Sequence, residues 1–223
     1  MFALGRGVMD QFQFKLFAAL LMVIDHVGYV FFPGEPIWRI LGRLSFPLFA
    51  WLLVKGERHT RNIVRYLSRL LVMAVITQPF YMALFEVAQL NVLVTLAIGL
   101  SVIRLARKYP AHRILIGAAG VAIALVVPMD AGAYGICVIL LMGIWQPSAP
   151  LRQTLIWWVL WLVLHGAYVL TLGPSVRVQL WALVTPLLLY GANGKQGAKG
   201  RWFYWFYPGH LILLWVIKAL VNR

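Results

Sequence analysis

Asp25 and His26 stand side by side in an apolar run, and Arg39 and Arg43 follow across the turn Pro33-Gly34-Glu35-Pro36. An imidazole changes charge near neutral pH, so His26 has the chemistry of a general base. His26 lies seven residues before Pro33, and Arg43 lies seven after Pro36. At about 1.5 Å per helical residue, both sit roughly 10 Å from the turn. Two antiparallel helices would therefore bring Asp25 and His26 level with Arg43, with Arg39 one turn away on the same face. Adjacent residues on a helix diverge by about 100°. Asp25 is thus expected to pair with Arg43 or Arg39 rather than to orient His26. Two readings follow: proton transfer at His26, or an ion pair between helices with His26 as an interhelical hydrogen-bonder.

A second group is basic. Arg58, Arg61, Arg65 and Arg69 follow spacings of 3, 4 and 4, which predicts one face of the helix opening the third apolar segment. Guanidinium forks grip phosphate oxygens in pairs, so such a stripe suits a polyanion such as coenzyme A. Solvated or lipid-contacting arginines are the plainer alternative. Tyr207 and His210 share a helix face by their i,i+3 spacing, and Gln78, Asn91, Thr95 and His165 are further polar groups in apolar surroundings. The single cysteine, Cys137, forms no intrachain disulfide, and no Cys/His cluster has zinc spacing, so no metal is expected.

The elements that hold these residues are helices in a bilayer. The 223 residues are 62% hydrophobic and only 12% charged, with a mean hydropathy of +0.84. A soluble domain carries about 25% charged residues, so an ordinary soluble or disordered chain is excluded. Nine apolar segments can be read, roughly 12–32, 37–54, 64–85, 92–105, 114–127, 134–145, 155–172, 178–190 and 202–220. A bilayer crossing takes about 20 residues. The first segment is too long for a cleaved leader's core and contains Asp25 and His26, so it reads as a span. Punctuation falls at Pro33 to Pro36, Pro128, Pro147 with Pro150, Gly173-Pro174 and the stretch 191–200.

Charge orients the chain. With the N-terminus inside, the inner ends carry Arg6, Lys15, Lys55, Arg58, Arg61, Arg65, Arg69, Arg104, Arg107, Lys108, Arg113, Arg152, Lys195, Lys199 and Arg201. The outer ends carry Arg39, Arg43, Arg177, Lys218 and Arg223, a bias of 15 to 5. The positive-inside rule is then satisfied along the whole chain. The fold class expected is all-α: one polytopic transmembrane helical bundle over residues 1–223, about nine spans, N-terminus cytoplasmic. The net charge of +14 is explained by cytoplasmic loops and anionic lipid rather than nucleic acid.

Several blocks resemble the TraX family. They are Phe14-Lys15-Leu16, then Met22-Val23-Ile24-Asp25-His26-Val27-Gly28, then Arg39-Ile40-Leu41-Gly42-Arg43-Leu44-Ser45-Phe46-Pro47-Leu48-Phe49-Ala50, then Lys55-Gly56-Glu57 with His59-Thr60. Asn91-Val92-Leu93-Val94-Thr95-Leu96 and Tyr207-Pro208-Gly209-His210 resemble its later blocks. The resemblance implies a multi-pass acetyltransferase of the bacterial inner membrane, distantly similar to the larger transmembrane acyltransferases. It further implies cytoplasmic acetyl-CoA as donor and a pilin N-terminus, another exported peptide or a glycan as acceptor. Family positions carried over to this chain are Asp25, His26, Arg39, Arg43, Glu57 and His210.

The expected roles follow. His26 is the general base, with His210 as the alternative; Asp25 and Arg43 fix the hairpin and its field, and Arg43 or Tyr207 stabilises the oxyanion. Arg58, Arg61, Arg65 and Arg69 hold the nucleotide end of acetyl-CoA. Its pantetheine arm, about 15–20 Å long by bond counting, carries the thioester into a core about 30 Å thick. Arg39, Glu57, Tyr207 and Asn91 are the expected substrate contacts. The competing classes are a small transporter, which would need a polar path and related halves not seen here, and a non-catalytic pilus or envelope assembly protein.

Overall fold

The computed structural model describes residues 7–146, 148–198, 200 and 203–221. Arg6, Pro147, Lys199, Arg201, Trp202 and Arg223, invoked above as loop charges, punctuation or a segment start, lie outside the described residues. Within them the chain is all-helical, with no strand beyond two isolated bridges, Met9 with Ala192 and Leu90 with Met129. The helices are α1 (Gln11–Phe31), α2 (Pro36–Gly42), α3 (Ser45–His59), α4 (Ile63–Phe85), α5 (Val92–Lys108), α6 (Arg113–Val126), α7 (Gly132–Ile144), α8 (Leu151–Leu172), α9 (Thr185–Leu189) and α10 (Phe203–Val221). An eleven-residue 3₁₀ stretch, Pro174–Val184, leads into α9.

Each of the nine apolar segments coincides with a helix or a broken pair of helices. Among the described residues five helices are long and apolar enough to cross a membrane: Gln11–Phe31, Pro36–His59, Ile63–Phe85, Leu151–Leu172 and Phe203–Val221. The other four segments are shorter. At about 1.5 Å per residue a 14-residue helix such as α6 spans only about 21 Å. Against about nine spans expected, five helices among the described residues have the length of a crossing.

The helix ends have local causes. Asp10 caps α1 through a capping box with Gln13, each side chain bonding the other's backbone N–H at 2.8 Å. Asn62 and Asn91 cap α4 and α5 by accepting from Arg65 N and Leu93 N. These caps place chain breaks before the third and fourth segments.

The chain divides into two compact units. The first comprises residues 1–52 and 141–199, the second 53–140 and 200–223. In the first, α1 runs antiparallel to α2 and the start of α3. Phe14 meets Trp51 edge-on at 5.4 Å, and Ser45 Oγ donates to Ala18 O at 2.8 Å. The start of α1 is tied to the stretch after α9 by Met9 N to Gly191 O, Gln11 N to Lys195 O and Asn193 N to Met9 O. On α8, Trp157, Trp161 and His165 point inward at i,i+4 spacing, while Leu155, Val159, Leu162, Val163 and Leu170 are exposed. An aliphatic exterior over a polar-edged aromatic interior reverses the soluble pattern and suits lipid contact.

In the second unit α4 and α10 run parallel. Arg69 lies over the Tyr204 ring, Phe80 meets Trp215, and Lys218 reaches Leu84 O and Glu86. Helix α5 packs on α6 where Gly120 faces Val102, and on α7 where Gly99 faces Ile139. The α4–α5 turn and the α6–α7 turn are joined by Leu90 N to Pro128 O and Asp130 N to Leu90 O.

Candidate active site

In the first unit the α1–α2 hairpin closes on Asp25. Its carboxylate accepts from Arg39 Nη1 at 2.6 Å and from Arg43 Nη2 at 2.7 Å on both oxygens. The pairing expected with one arginine thus involves both. Arg43 also donates to Gln179 Oε1 at 3.2 Å, so the 3₁₀ stretch joins the cluster. The Asp25 side chain is 12% exposed, and those of Arg39 and Arg43 are 27% and 21%. A carboxylate so little exposed is costly unless paired and hydrogen-bonded, and here it is both.

Glycine permits this approach. A Cβ on Gly42 would lie 2.1 Å from Asp25 Oδ1, and one on Gly28 would lie 2.0 Å from Trp38 Cβ. The Gly-Arg pair at 42–43 therefore seats the acid before its guanidinium. Tyr29 takes the Arg39 guanidinium over its ring at 5.1 Å. His26 follows Asp25 on α1 and is half-buried, while the carboxylate's hydrogen bonds are to Arg39 and Arg43.

In the second unit Glu57 is a fully buried acid, its side chain 0% exposed. Oε1 lies 3.2 Å from Arg104 Nη1, and Oε2 lies 2.5 Å from Arg107 Nη1. The Oε2 contact is an ion pair without the alignment of a hydrogen bond. Glu57 thus anchors the last turn of α3 to the last turn of α5.

Asn91 is also wholly buried. Its Nδ2 donates to Ala74 O and Gln78 Oε1 at 2.8 Å, its N–H donates to Gln78 Oε1 at 3.0 Å, and its Oδ1 caps α5. Every polar atom of that side chain is spent on holding the α4–α5 turn. Gln89 Nε2 donates to Tyr81 Oη at 2.9 Å in the same network, and Thr95 Oγ1 donates to Asp130 O.

Tyr207 and His210 share a face of α10, their rings 5.5 Å apart and edge-on, and both are buried. His210 Nδ1 donates to Phe206 O at 2.9 Å, which leaves Nε2 as the basic nitrogen of the neutral ring. Phe206 stacks on that ring at 5.0 Å. The Tyr207 hydroxyl lies against the Val92 backbone, with Asp130 and Tyr81 in electrostatic range.

The arginine stripe departs from expectation. Arg58 closes α3, Arg61 lies in the link between helices, and only Arg65 and Arg69 share a face of α4. The reason is local: Thr60 N closes onto Gly56 O, and Asn62 starts a new helix three residues after His59. All four side chains are exposed, and Arg69 covers the Tyr204 ring.

Sequence reasoning missed the pairing of Glu57 with Arg104 and Arg107, the role of Gln179, and Asp130 beside Tyr207. The i,i+3 spacing of Arg104 and Arg107 was the available signal for the first.

Helices that turn aliphatic side chains outward and keep ionised clusters inside define a membrane protein. The chain belongs to the TraX family, whose family model, "TraX protein", matches residues 11–218. It is similar to the probable fimbrial assembly protein FimC, serogroup H1, of Dichelobacter nodosus. The two are 33% identical over 240 residues, covering 95% of this chain and 96% of that protein. No solved structure matches.

Proposed function

We propose that this chain is an acyl-CoA-dependent acetyltransferase of the bacterial inner membrane, moving an acetyl group from cytoplasmic acetyl-CoA to an exported amine or hydroxyl. The observation that carries the reading is the α1–α2 hairpin. Two guanidiniums and a glycine seat hold Asp25, and the half-buried His26 rides on the same helix turn. Position matters because a general base contributes about 10²–10⁴-fold only when held within reach of the proton it takes.

His26 is favoured over His210 as the base because His210 is 8% exposed and enclosed by two aromatic rings. In this reading the acceptor loses its proton to His26 as it attacks the thioester carbonyl, Arg43 faces the charge developing on the carbonyl oxygen, and the carbon–sulfur bond then breaks so that coenzyme A leaves as the thiol with the proton handed on by His26. Arg58, Arg61, Arg65 and Arg69 are exposed and supply positive charge for the phosphates of acetyl-CoA. Arg39 and Tyr207 are kept as substrate contacts, while the two ion pairs of Glu57 and the filled hydrogen bonds of Asn91 fit positioning roles better. All nine segments would enter the bilayer, with the N-terminus inside, in keeping with the 15-to-5 charge bias.

The relative's name adds an acceptor class, since a fimbrial assembly protein works where pilin subunits are handled. The same name favours a second reading, a non-catalytic assembly factor. Purified protein in lipid vesicles, given labelled acetyl-CoA and a peptide amine, separates the two. Transfer abolished by His26→Ala, with the fold and coenzyme affinity kept, supports the enzyme. No transfer by the wild type supports the assembly factor.

A further inference from the structure

We propose that Arg104 and Arg107, oriented by buried Glu57 and joined by Arg58, form a phosphoanion site where α3 and α5 end. The first argument is cost. A carboxylate with no exposed surface loses several kcal/mol of hydration unless it is paired, and Glu57 pairs with two cations at once. Basic residues that only held a loop inside the cell would need no buried acid.

The second argument is geometry. Each guanidinium meets the carboxylate through one terminal nitrogen, and a guanidinium carries five donors. The Arg104 and Arg107 side chains are 46% and 43% exposed. The carboxylate therefore fixes the inner edges and leaves outer donors oriented toward whatever approaches. Charge is the third. Arg58 lies in electrostatic range of both Arg107 and Glu57. Arg104 and Arg107 contact the acid, Arg58 is its exposed neighbour along α3, and two helix C-termini add only about half a negative charge each. The cluster stays positive, and its forks match the tetrahedral oxygens of a phosphate group. Arg61, Arg65 and Arg69 have no ion pair with an acid among the described residues, so they lend field rather than a formed cradle.

The ligand chemistry is a phosphate ester, from a soluble nucleotide such as the 3′-phosphate end of acetyl-CoA or from an anionic lipid headgroup. The nucleotide assignment rests on the acetyltransferase reading; the phosphoanion site does not. The test uses full-length protein in nanodiscs of phosphatidylcholine, titrated with acetyl-CoA and with inorganic pyrophosphate, and a parallel set containing phosphatidylglycerol. The variants are Arg104→Gln with Arg107→Gln, the same pair with Glu57→Gln so that no buried charge is orphaned, and Arg152→Gln, an exposed arginine at the start of α8, as the control.

The expected result is acetyl-CoA and pyrophosphate binding weakened about tenfold for each lost arginine, with the control within about twofold. Stabilisation by phosphatidylglycerol that is lost in the variants, with no acetyl-CoA binding by the wild type, supports the site with a lipid occupant and sinks the donor reading. Unchanged acetyl-CoA affinity in the variants overturns the site and leaves the donor reading standing. A wild type that responds to none of the three probes overturns both.

Discussion

Asp25 and Glu57 are two buried acids that each hold two arginines, yet they differ in what the arginines do next. The arginines on Asp25 are themselves mostly buried, and one bonds onward to Gln179. Those on Glu57 are nearly half exposed. The first arrangement leaves only about a quarter of each arginine side chain outside and chiefly locks the hairpin that carries His26. The second is closed on one side and open on the other, as a binding surface must be. The same three charged groups give a fastener or a cradle according to how much of each guanidinium the fold leaves outside.

The largest effect should come from breaking the closed cluster. Asp25→Ala leaves two poorly hydrated guanidiniums without a counterion and should lower stability by about 3 kcal/mol or more. Equilibrium unfolding in detergent measures it. Glu57→Gln should cost less, about 1–2 kcal/mol, because its half-exposed arginines recover water or anions. Equal losses at the two acids would erase the distinction drawn here.

The seat of the lock comes next. Gly42→Ala drives a methyl into Asp25 and should cost about 1–3 kcal/mol. Gly34→Ala, in the turn of the same hairpin, meets nothing within 4 Å and should be near neutral. Comparable losses at both glycines would mean that the turn, rather than the approach to Asp25, governs this hairpin.

The two clusters were not equally legible in the sequence. Arg39 and Arg43 lie 14 and 18 residues from Asp25, across one tight turn, so helical rise alone brings them level. Arg104 lies 47 residues from Glu57, with α4 and two turns between them. No local period reports such a contact. The nine apolar segments were visible because lipid-facing helices are apolar over whole turns. The break between His59 and Ile63 was hidden because four arginines kept helical spacing through it, and only Asn62 marked a new cap. The 3₁₀ course of Pro174–Val184 had Pro174 as its one cue, and that proline also suits an α-helix start.

The smallest expected effect is an exposed contrast to both clusters. Lys218 Nζ hydrogen-bonds Glu86 at 2.6 Å, and that bond with the ammonium's charge lowers the Glu86 carboxyl below its ordinary 4.5. A folded-state value below the unfolded one stabilises above the unfolded value and ceases to do so as pH falls through the folded one. Wild type should therefore exceed Glu86→Gln slightly in thermal stability at neutral pH, and the gap should close in acid. A gap that widens in acid would reverse the sign assigned to this pair.

Acetyl transfer itself is the most direct measurement. Protein in sealed vesicles would receive isotopically labelled acetyl-CoA on the side of the basic helix ends, with a pilin-like peptide on the other, and mass spectrometry would read the peptide. The account predicts a labelled acetyl group on the peptide amine with wild type, and none with His26→Ala that still binds coenzyme A. Label transferred at the wild-type rate by His26→Ala, or no label from a well-folded wild type, would contradict it.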